Sequence, residues 1–398
     1  MAYHIIPLDS PPAPTTYGTG ASALNNRGVV AGHASMPGTH ATYWTPAAHA
    51  IPVVAQLSIG YGINDLGDVV GTWGNASFPG QAFLFRNGVV LDLTGAFKAD
   101  VSLLTDINDS GIACGWAGKI GTPHAVRYDT ASAKVTDLGT LPGLKSSYAA
   151  AVNRHGQIAG TSRNNGTPQN SHAFLWDGNL RSLGPATSTN DLNDDGVVVG
   201  ARVVEGATHW TAFALASGDP NGEFEDLGPL PIPGFVGSEA MGINNHGDIV
   251  GHSFTDFGAG QMIRAFLRRS DGVMQDLNSL IPPNSGWLLE WAMAINDRGH
   301  IAGTGSFQGE RKGYLLKPDS ILAQPPQYAA IDPMAVILPG RVYQIWVELH
   351  HPHVPRVAEV KEVLRRLSTR ERTAALQRAR QLAEYGKVFE KALSEMGR

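Results

Sequence analysis

One ten-residue phrase occurs seven times in the chain and constrains the fold more strongly than any other feature of the sequence. In each copy an apolar residue precedes Asn, two mostly polar residues and Gly follow, and an alternating apolar run comes next. Asn bonds readily to the backbone of its own turn, and Gly accepts the left-handed conformation that closes a short hairpin. Each copy therefore predicts two strands joined by a tight turn. The repeated asparagines are Asn25, Asn64, Asn108, Asn153, Asn193, Asn244 and Asn296.

The spacing of the repeats favours a closed ring. The asparagines lie 39, 44, 45, 40, 51 and 52 residues apart, and periods of this size are typical of solenoids, propellers and arrays. Two more short strands follow in most copies, one aromatic and apolar, as in HAFLW, and one ending near Asp-Leu, as in VTDLGTL. A four-stranded sheet cannot bury both faces alone, whereas seven packed radially can. The sequence therefore predicts an all-β fold, a seven-bladed β-propeller.

The two ends of the repeat region predict how the ring closes. The seventh copy ends at GYLLKP, residues 313–318, without a fourth strand. Residues 3–9, YHIIPLD, precede the first complete repeat and have the apolar run and Leu-Asp ending of such a strand. We therefore expect residues 3–9 to pair with residues 313–317 as the outer strand of blade seven, which removes an exposed sheet edge. In this interpretation residues 1–318 are the propeller domain.

The repeat units resemble those of a known family. HAFLW at residues 172–176, DLGTLPG at residues 137–143 and the INxxGxIVG phrases are similar to the HAF-type repeats of bacterial, propeller-like proteins assigned mainly to the extracellular space. The resemblance covers about residues 3–318 and implies no shared enzymatic activity. The N-terminal MAYHIIPLDSPPAP has neither the basic nor the apolar segment of a signal peptide. A cytoplasmic location is expected for the sequence as it stands, and a secreted one if a signal was removed.

Residues 319–398 predict a small C-terminal αβ appendage. Residues 341–351 alternate like a strand, and two short helices follow, the second with a capping box at Ser368 and Glu371. Residues 355–398 carry 11 Lys/Arg and 6 Asp/Glu, which leaves the rest of the chain at a net charge of −10. We expect the helices to dock on the acidic propeller, on a second copy or on a protein partner. Interleaved glutamates argue against nucleic acid.

Two patterns raise the question of a metal. ELHHPH provides Glu348, His350 and His353, a set that zinc or iron could use, with surface histidines as the alternative. Residues 191–196 spell D-x-N-x-D-G, the opening of a calcium loop, but position twelve is Arg202 instead of glutamate. We interpret that segment as a structural turn. A divalent metal is the one cofactor that the sequence leaves open.

Variable connections on a rigid ring are the usual place for binding residues. In a propeller, the connections between strands two and three share one face with those between blades. Here they vary between copies, whereas the Asn-x-x-Gly turns of the opposite face are uniform. The variable face, called the loop face below, is the predicted binding face. Its candidate residues are His33, His40, Trp73, Trp116, His124, Arg163, His172, Arg202, Trp210, His252, Phe254 and Arg264.

These candidates divide into two sets. One holds equivalent positions of the repeat and is interpreted mainly as polar caps of strand ends: His40, His124 and His172. The second set follows the glycine of the second strand and varies between blades. Such variation indicates either a binding site or a surface without a binding role. Its members are His33, Trp73, Trp116 and His252.

The function that the sequence favours is recognition of a peptide, a glycan or a small molecule on the loop face. Walker, G-x-S-x-G and H-E-x-x-H motifs are absent from the sequence. The alternative is a metal-assisted hydrolase, lyase or tailoring enzyme that uses histidines of the funnel or the Glu348/His350 cluster. A purely structural role is the third hypothesis. No segment has the roughly 18 apolar residues of a membrane helix, and Cys114, in an apolar repeat position, is expected to be buried and inert.

Overall fold

The computed structural model describes residues 2–319, apart from residues 11–17, 37, 46–49, 53–56, 75–79, 165–170, 205, 217–222 and 259. The chain divides into two units, Met1–Ser320 and Ile321–Arg398. The second unit lies outside the described residues, and with it the predicted C-terminal strand and helices and the candidate metal ligands Glu348, His350 and His353. Those predictions stay predictions.

The described residues form seven four-stranded antiparallel sheets, the blades of a β-propeller. The innermost strands of blades one to seven are β2 (Thr19–Leu24), β6 (Leu57–Ile63), β10 (Val101–Ile107), β14 (Ser146–Val152), β18 (Ser188–Leu192), β22 (Phe235–Ile243) and β26 (Trp287–Ile295). The second strands are β3 (Val30–Met36), β7 (Val69–Gly74), β11 (Ile112–Lys119), β15 (Ile158–Arg163), β19 (Val197–Val203), β23 (Ile249–Thr255) and β27 (Ile301–Phe307). The predicted seven-bladed propeller is confirmed.

The two outer strands complete each blade. The third strands are β4 (Gly38–Trp44), β8 (Gln81–Arg86), β12 (Thr122–Asp129), β16 (Ser171–Trp176), β20 (Trp210–Ala216), β24 (Ile263–Arg268) and β28 (Glu310–Pro318). The outermost strands of blades one to six are β5 (Ala50–Pro52), β9 (Val89–Asp92), β13 (Lys134–Gly139), β17 (Leu180–Pro185), β21 (Glu225–Asp226) and β25 (Met274–Asp276). Helix is rare in the described residues, with α1 (Thr94–Phe97) and a 3₁₀ turn (Leu277–Leu280) between strands.

The N-terminal strand closes the ring as predicted. Strand β1 (Tyr3–Leu8) pairs antiparallel with β28, from Tyr3 opposite Pro318 to Leu8 opposite Gly313. Blade seven therefore contains both ends of the propeller. The strand also joins blade seven to blade one, because Thr19 Oγ1 donates to the carbonyl oxygen of Leu8 at 2.7 Å.

The seven turns between first and second strands share one design. In blade three, Asn108 Oδ1 accepts from the backbone N–H groups of Ser110 and Ile112, both at 3.0 Å. The turn then needs a left-handed residue, which only glycine adopts without strain. Gly111, Gly156 and Gly247 have φ angles of 78°, 79° and 79°, so the predicted positive values are confirmed.

The glycine that ends the repeated phrase lets the first two strands approach closely. Strand β10 bulges between Leu104 and Asp106, and Gly115 of strand β11 lies opposite this bulge. A Cβ atom at Gly115 would lie 2.0 Å from the carbonyl oxygen of Leu103. Any side chain there would displace the inner strand, so glycine is required by sterics. The preceding residue, Cys114, is fully buried, as expected, and burial raises the pKa of its thiol.

Candidate functional site

The inner strands surround a central channel with two chemically different ends. The turns between first and second strands lie at one end, called the turn face. The loop face lies at the other end, with the connections between second and third strands and between blades.

A closed circle of asparagine side chains surrounds the channel at the turn face. The Nδ2 atom of each repeated asparagine donates to the main-chain oxygen of the asparagine in the next blade, over 2.9–3.2 Å. The circle closes between blade seven and blade one, where Asn296 donates to Asn25. Because Oδ1 caps the turn and Nδ2 binds the neighbouring blade, the position requires both an acceptor and a donor.

The residues that follow these asparagines form a second circle. In six of the seven blades the backbone N–H of this residue donates to the side-chain oxygen of its counterpart in the next blade, over 2.7–3.0 Å. Between blades three and four the bond is missing, since the acceptor position holds Arg154. The seven residues, mostly acidic, are Asn26, Asp65, Asp109, Arg154, Asp194, Asn245 and Asp297.

Two further carboxylates lie deeper at this end of the channel, in a cavity of about 220 Å³. Asp106 accepts from the backbone N–H of Val152, and Asp191 accepts from that of Ile243. Each donor lies on the innermost strand of the next blade. Burial, and then the negative charge of Asp106, raises the pKa of Asp191 to about 7, although backbone hydrogen bonds oppose this rise. Asp191 is thus engaged by backbone groups, which supports a structural role for the D-x-N-x-D-G segment.

The loop-face half of the channel has no such uniformity. In each blade, the first-strand residue five positions before the repeated asparagine pairs with a residue on the second strand. These seven pairs lie at one level of the ring. From blade one to blade seven the pairs are Gly20–His33, Ile59–Thr72, Leu103–Trp116, Tyr148–Thr161, Ser188–Ala201, Glu239–His252 and Trp291–Thr304. This level carries a different side-chain chemistry in every blade.

Glu239 provides the carboxylate of this level. Its Oε1 atom accepts from Ser188 Oγ at 2.7 Å and from Asn190 Nδ2 at 2.9 Å, both from the preceding blade. His252 lies opposite Glu239 on the second strand, and burial lowers the pKa of its imidazole although the Glu239 charge acts in the other direction. The two donors hold the carboxylate in one orientation on the channel wall.

Two arginine–aromatic pairs belong to the same level. The guanidinium of Arg163 lies 4.5 Å from the ring centroid of Tyr148, and Trp116 packs edge-on against the same tyrosine at 5.6 Å. The guanidinium of Arg311 lies 4.8 Å from the ring centroid of Trp291. Arg163 and Trp116 are among the sequence-predicted residues, whereas Tyr148, Glu239 and Trp291 are not.

An aromatic cluster extends outward from His252 between blades five and six. Phe254 is fully buried and lies 5.0 Å from Trp210, and Phe257 packs on Trp210 at 5.4 Å with half of its surface exposed. Within the described residues, the indole nitrogen of Trp210 and the Nδ1 atom of His252 are buried without a hydrogen-bond partner. Here the structure brings together three sequence-predicted residues, Trp210, His252 and Phe254.

Exposed apolar side chains concentrate at the loop face of three consecutive blades. The described residues include eleven exposed large apolar side chains, and six of these emerge at this end of blades five to seven. We call these six the apolar sector: Val203, Ile232, Val236, Phe257, Met262 and Leu288.

Most of the other sequence-predicted residues lie outside this channel level and contact their own blade or a neighbouring one. His124 Nδ1 lies 3.0 Å from Asp137 Oδ2 and His172 Nδ1 lies 3.3 Å from Ser182 Oγ, which fits polar caps of strand ends. The remaining ones share contacts with outer strands or neighbouring blades: Arg202 with Asp226, Arg264 with Asp276, Trp73 with the core between blades one and two, and His40 beside Gly38. His33 faces Gly20 at the channel level described above.

Comparisons with solved structures return distant matches, among them a β-propeller domain. TolB from Acinetobacter baumannii is 12% identical, with a TM-score of 0.41 over 73% of this chain and 63% of TolB, so the chain spans less than two thirds of that protein. The β-propeller domain of the Trilobed protease from Pyrococcus furiosus is 13% identical (TM-score 0.46, 75% of this chain, 95% of the domain). YCF48 bound to D1 peptide is 11% identical (TM-score 0.45, 79% and 96%). The sequence matches no protein-family model and no curated protein.

The described residues contain no group of three or more His, Cys, Asp or Glu side chains placed to hold a metal ion. None of their helices is long and apolar enough to cross a membrane.

Proposed function

We propose that the protein is a binding propeller and that the loop-face end of its channel recognises a peptide segment carrying a basic side chain among apolar ones. A seven-bladed propeller is compatible with binding and with catalysis, so the fold alone does not decide. The observation that carries the proposal is the apolar sector, which occupies the loop face of blades five to seven beside Glu239. Soluble proteins keep such surfaces mainly for interaction.

The chemistry of the sector favours a peptide over a glycan as the ligand. Phe257, Met262 and their neighbours offer apolar area but few hydrogen bonds, which suits the side chains of a peptide better than the hydroxyl groups of a glycan. Glu239, already oriented by Ser188 and Asn190, then offers a fixed carboxylate to an ammonium or guanidinium group. The uniform turn face lacks this combination in the described residues.

An array of immobilised peptides tests the proposal. Peptides of about 12 residues would carry a central Lys, Gln or Glu among Leu, Val, Phe or Ser residues. We expect labelled protein to bind the peptides with Lys among apolar residues. Glu239→Gln keeps the acceptor for Ser188 and Asn190 but removes the charge, so the preference for Lys should fall roughly tenfold, the effect of one charge-assisted hydrogen bond.

Two further variants locate the surface. Phe257→Ser should weaken binding of every apolar peptide, because it removes the most aromatic part of the sector. Leu66→Ser removes an equally exposed apolar side chain from the turn face and should leave binding unchanged. Equal losses in Phe257→Ser and Leu66→Ser, or an unchanged Lys preference in Glu239→Gln, would contradict the proposal.

Membership of the HAF-type repeat family belongs to the same proposal. It is supported by the HAFLW phrase, which lies in strand β16, and by the DLGTLPG phrase, which begins at the end of strand β13 and continues beyond it. It adds no ligand, since the resemblance implies no common activity.

A further inference from the structure

A groove on the turn face, between blades three and four, has features that the repeat does not explain. Its volume is about 340 Å³, within the range of small-molecule binding sites. Arg127 and Trp176 come from the third strands of the two blades, and Arg154, His155 and Gln157 come from the turn of blade four. The groove lies on the face opposite to the proposed peptide site and is independent of it.

Arg127 occupies a position that is apolar in every other blade. Its counterparts two residues after the small residue of each third strand are Tyr43, Leu84, Leu175, Ala214, Leu267 and Leu315. Each of these packs in a core between its own blade and the next. In blade three a guanidinium stands in place of the apolar group. Among the described residues, the carboxylate nearest to its Nη1 atom is that of Asp129 on the same strand, at 3.8 Å. A charged group at an interblade core costs packing energy. Natural proteins keep such a cost mainly at functional sites.

Arg154 is the second departure, at the same boundary between blades. In the other six blades this position is Asp or Asn, whose side-chain oxygen accepts from the backbone N–H of the equivalent residue in the preceding blade. Arg154 has no such oxygen, so the second circle of the turn face is open here. Its Nε atom donates to His155 at 3.2 Å and lies 3.7 Å from Asp194 Oδ2. The side chain is 68% exposed, so the guanidinium remains accessible from solvent.

Two departures from a sevenfold repeat thus bring two guanidinium groups to one groove. Asp177, the acidic residue of the groove, lies 3.8 Å from the guanidinium of Arg181. Guanidinium groups bind carboxylates and phosphates in paired hydrogen bonds, and a tryptophan wall offers a flat surface to a ring. We propose that this groove binds a small organic oxyanion, a carboxylate or phosphate group attached to a planar body that packs on Trp176.

Calorimetric titration of the full chain with phenyl phosphate, benzoate, inorganic phosphate and benzamide tests the site. We expect an aromatic anion to bind at least tenfold more tightly than neutral benzamide, because the guanidinium bonds are lost with the charge. It should also bind more tightly than inorganic phosphate, which has no ring for Trp176. The tighter of phenyl phosphate and benzoate identifies the anionic group. No binding of either at about 10 mM, a concentration at which even weak small-ligand sites fill, overturns the proposal.

Variants that restore the repeat separate binding from folding. Arg127→Leu introduces the residue of four sister blades, and Arg154→Asp introduces the commonest residue of the second circle. Both should keep or raise the unfolding midpoint in urea while weakening anion binding at least tenfold. Arg27→Gln removes an exposed turn-face arginine outside the groove and should change neither. Unchanged binding in Arg127→Leu, or an equal loss in Arg27→Gln, would show that the two arginines do not form a site.

Discussion

The side-chain amide of Asn296 donates to the main-chain oxygen of Asn25, 271 residues earlier in the sequence, at a distance of 2.9 Å. This bond is the seventh of a circle in which every blade holds the next by the same side chain. It lies at the one boundary where the two blades are not consecutive in the chain. Together with strand β1 it makes the ring continuous, so this boundary is held by the same asparagine bond as the other six.

Replacing Asn296 by Asp tests the circle. Aspartate keeps the acceptor that caps the turn at Arg298 and His300 but loses the donor to Asn25, whose oxygen then keeps only the bond from the Gly28 N–H and faces a carboxylate. We expect the free energy of unfolding to fall by about 1–3 kcal/mol. The measurement is equilibrium unfolding in urea. The control is Asn284→Asp, the same change at an exposed position, and an equal loss there would refute a specific role for the circle.

Strand β1 provides the second prediction, because Leu8 is 1% exposed and packs with Trp44, Ala302 and Leu315 between blades seven and one. Leu8→Ala should destabilise the protein by about 2–4 kcal/mol through lost burial and the cavity left behind. His4→Ala in the same strand is the matched control, since that side chain is exposed.

Deletion of residues 1–10 should further expose the edge of β28 and promote aggregation. A truncated protein that unfolds at the urea concentration of the parent would show that β1 does not close the ring.

Gly156 provides a test of backbone strain without steric contact. Its φ is 79°, and a Cβ atom there would meet nothing within 4 Å. Gly156→Val should therefore destabilise by about 1–3 kcal/mol through conformation alone. Gly156→Asn should be the milder change, because asparagine tolerates the left-handed region better than other residues with a Cβ. The opposite order of the two variants in thermal unfolding would mean that packing, not φ, determines the cost.

The propeller could be predicted from the sequence because its determinants are local and repeated. Asn108 and Gly111 specify a turn within four residues, and seven copies of that turn fix the number of blades. The closure by β1 was predictable for the same reason, since a strand was missing at one end and present at the other.

The candidate site could be predicted only in part. Tyr148, Glu239 and Trp291 are equivalent by their distance from the repeated asparagine, but bulges in the inner strands decide that such residues line the channel. Arg127 is visible as a departure only when third strands are aligned, and their distance from the asparagine varies with loop length. The missed residues therefore depend on side-chain direction and strand register, which the sequence alone does not give.

The last prediction concerns acid stability and rests on His300, which is 7% exposed in the turn of blade seven. Burial, and then the charges of Lys317 and Arg298, lowers the pKa of its imidazole to about 4. Its Nδ1 atom is buried without a partner among the described residues. Below the ordinary value of about 6.5 the unfolded chain binds a proton that the folded chain resists, so stability is complete above about pH 6.5 and falls as the pH drops towards 4.

Replacing His300 by Gln removes this titration and retains the backbone bonds to Asn296. Between pH 7 and pH 4 the unfolding free energy of the parent should fall by about 2–3 kcal/mol relative to that of the variant. The difference between the two proteins is the informative quantity, because Asp106, Asp109 and Asp191 have raised pKa values, act in the opposite direction and are common to both. His4→Gln, at an exposed site, should follow the parent at every pH. Parallel stability curves for the parent and His300→Gln would show that His300 does not resist protonation in the folded protein.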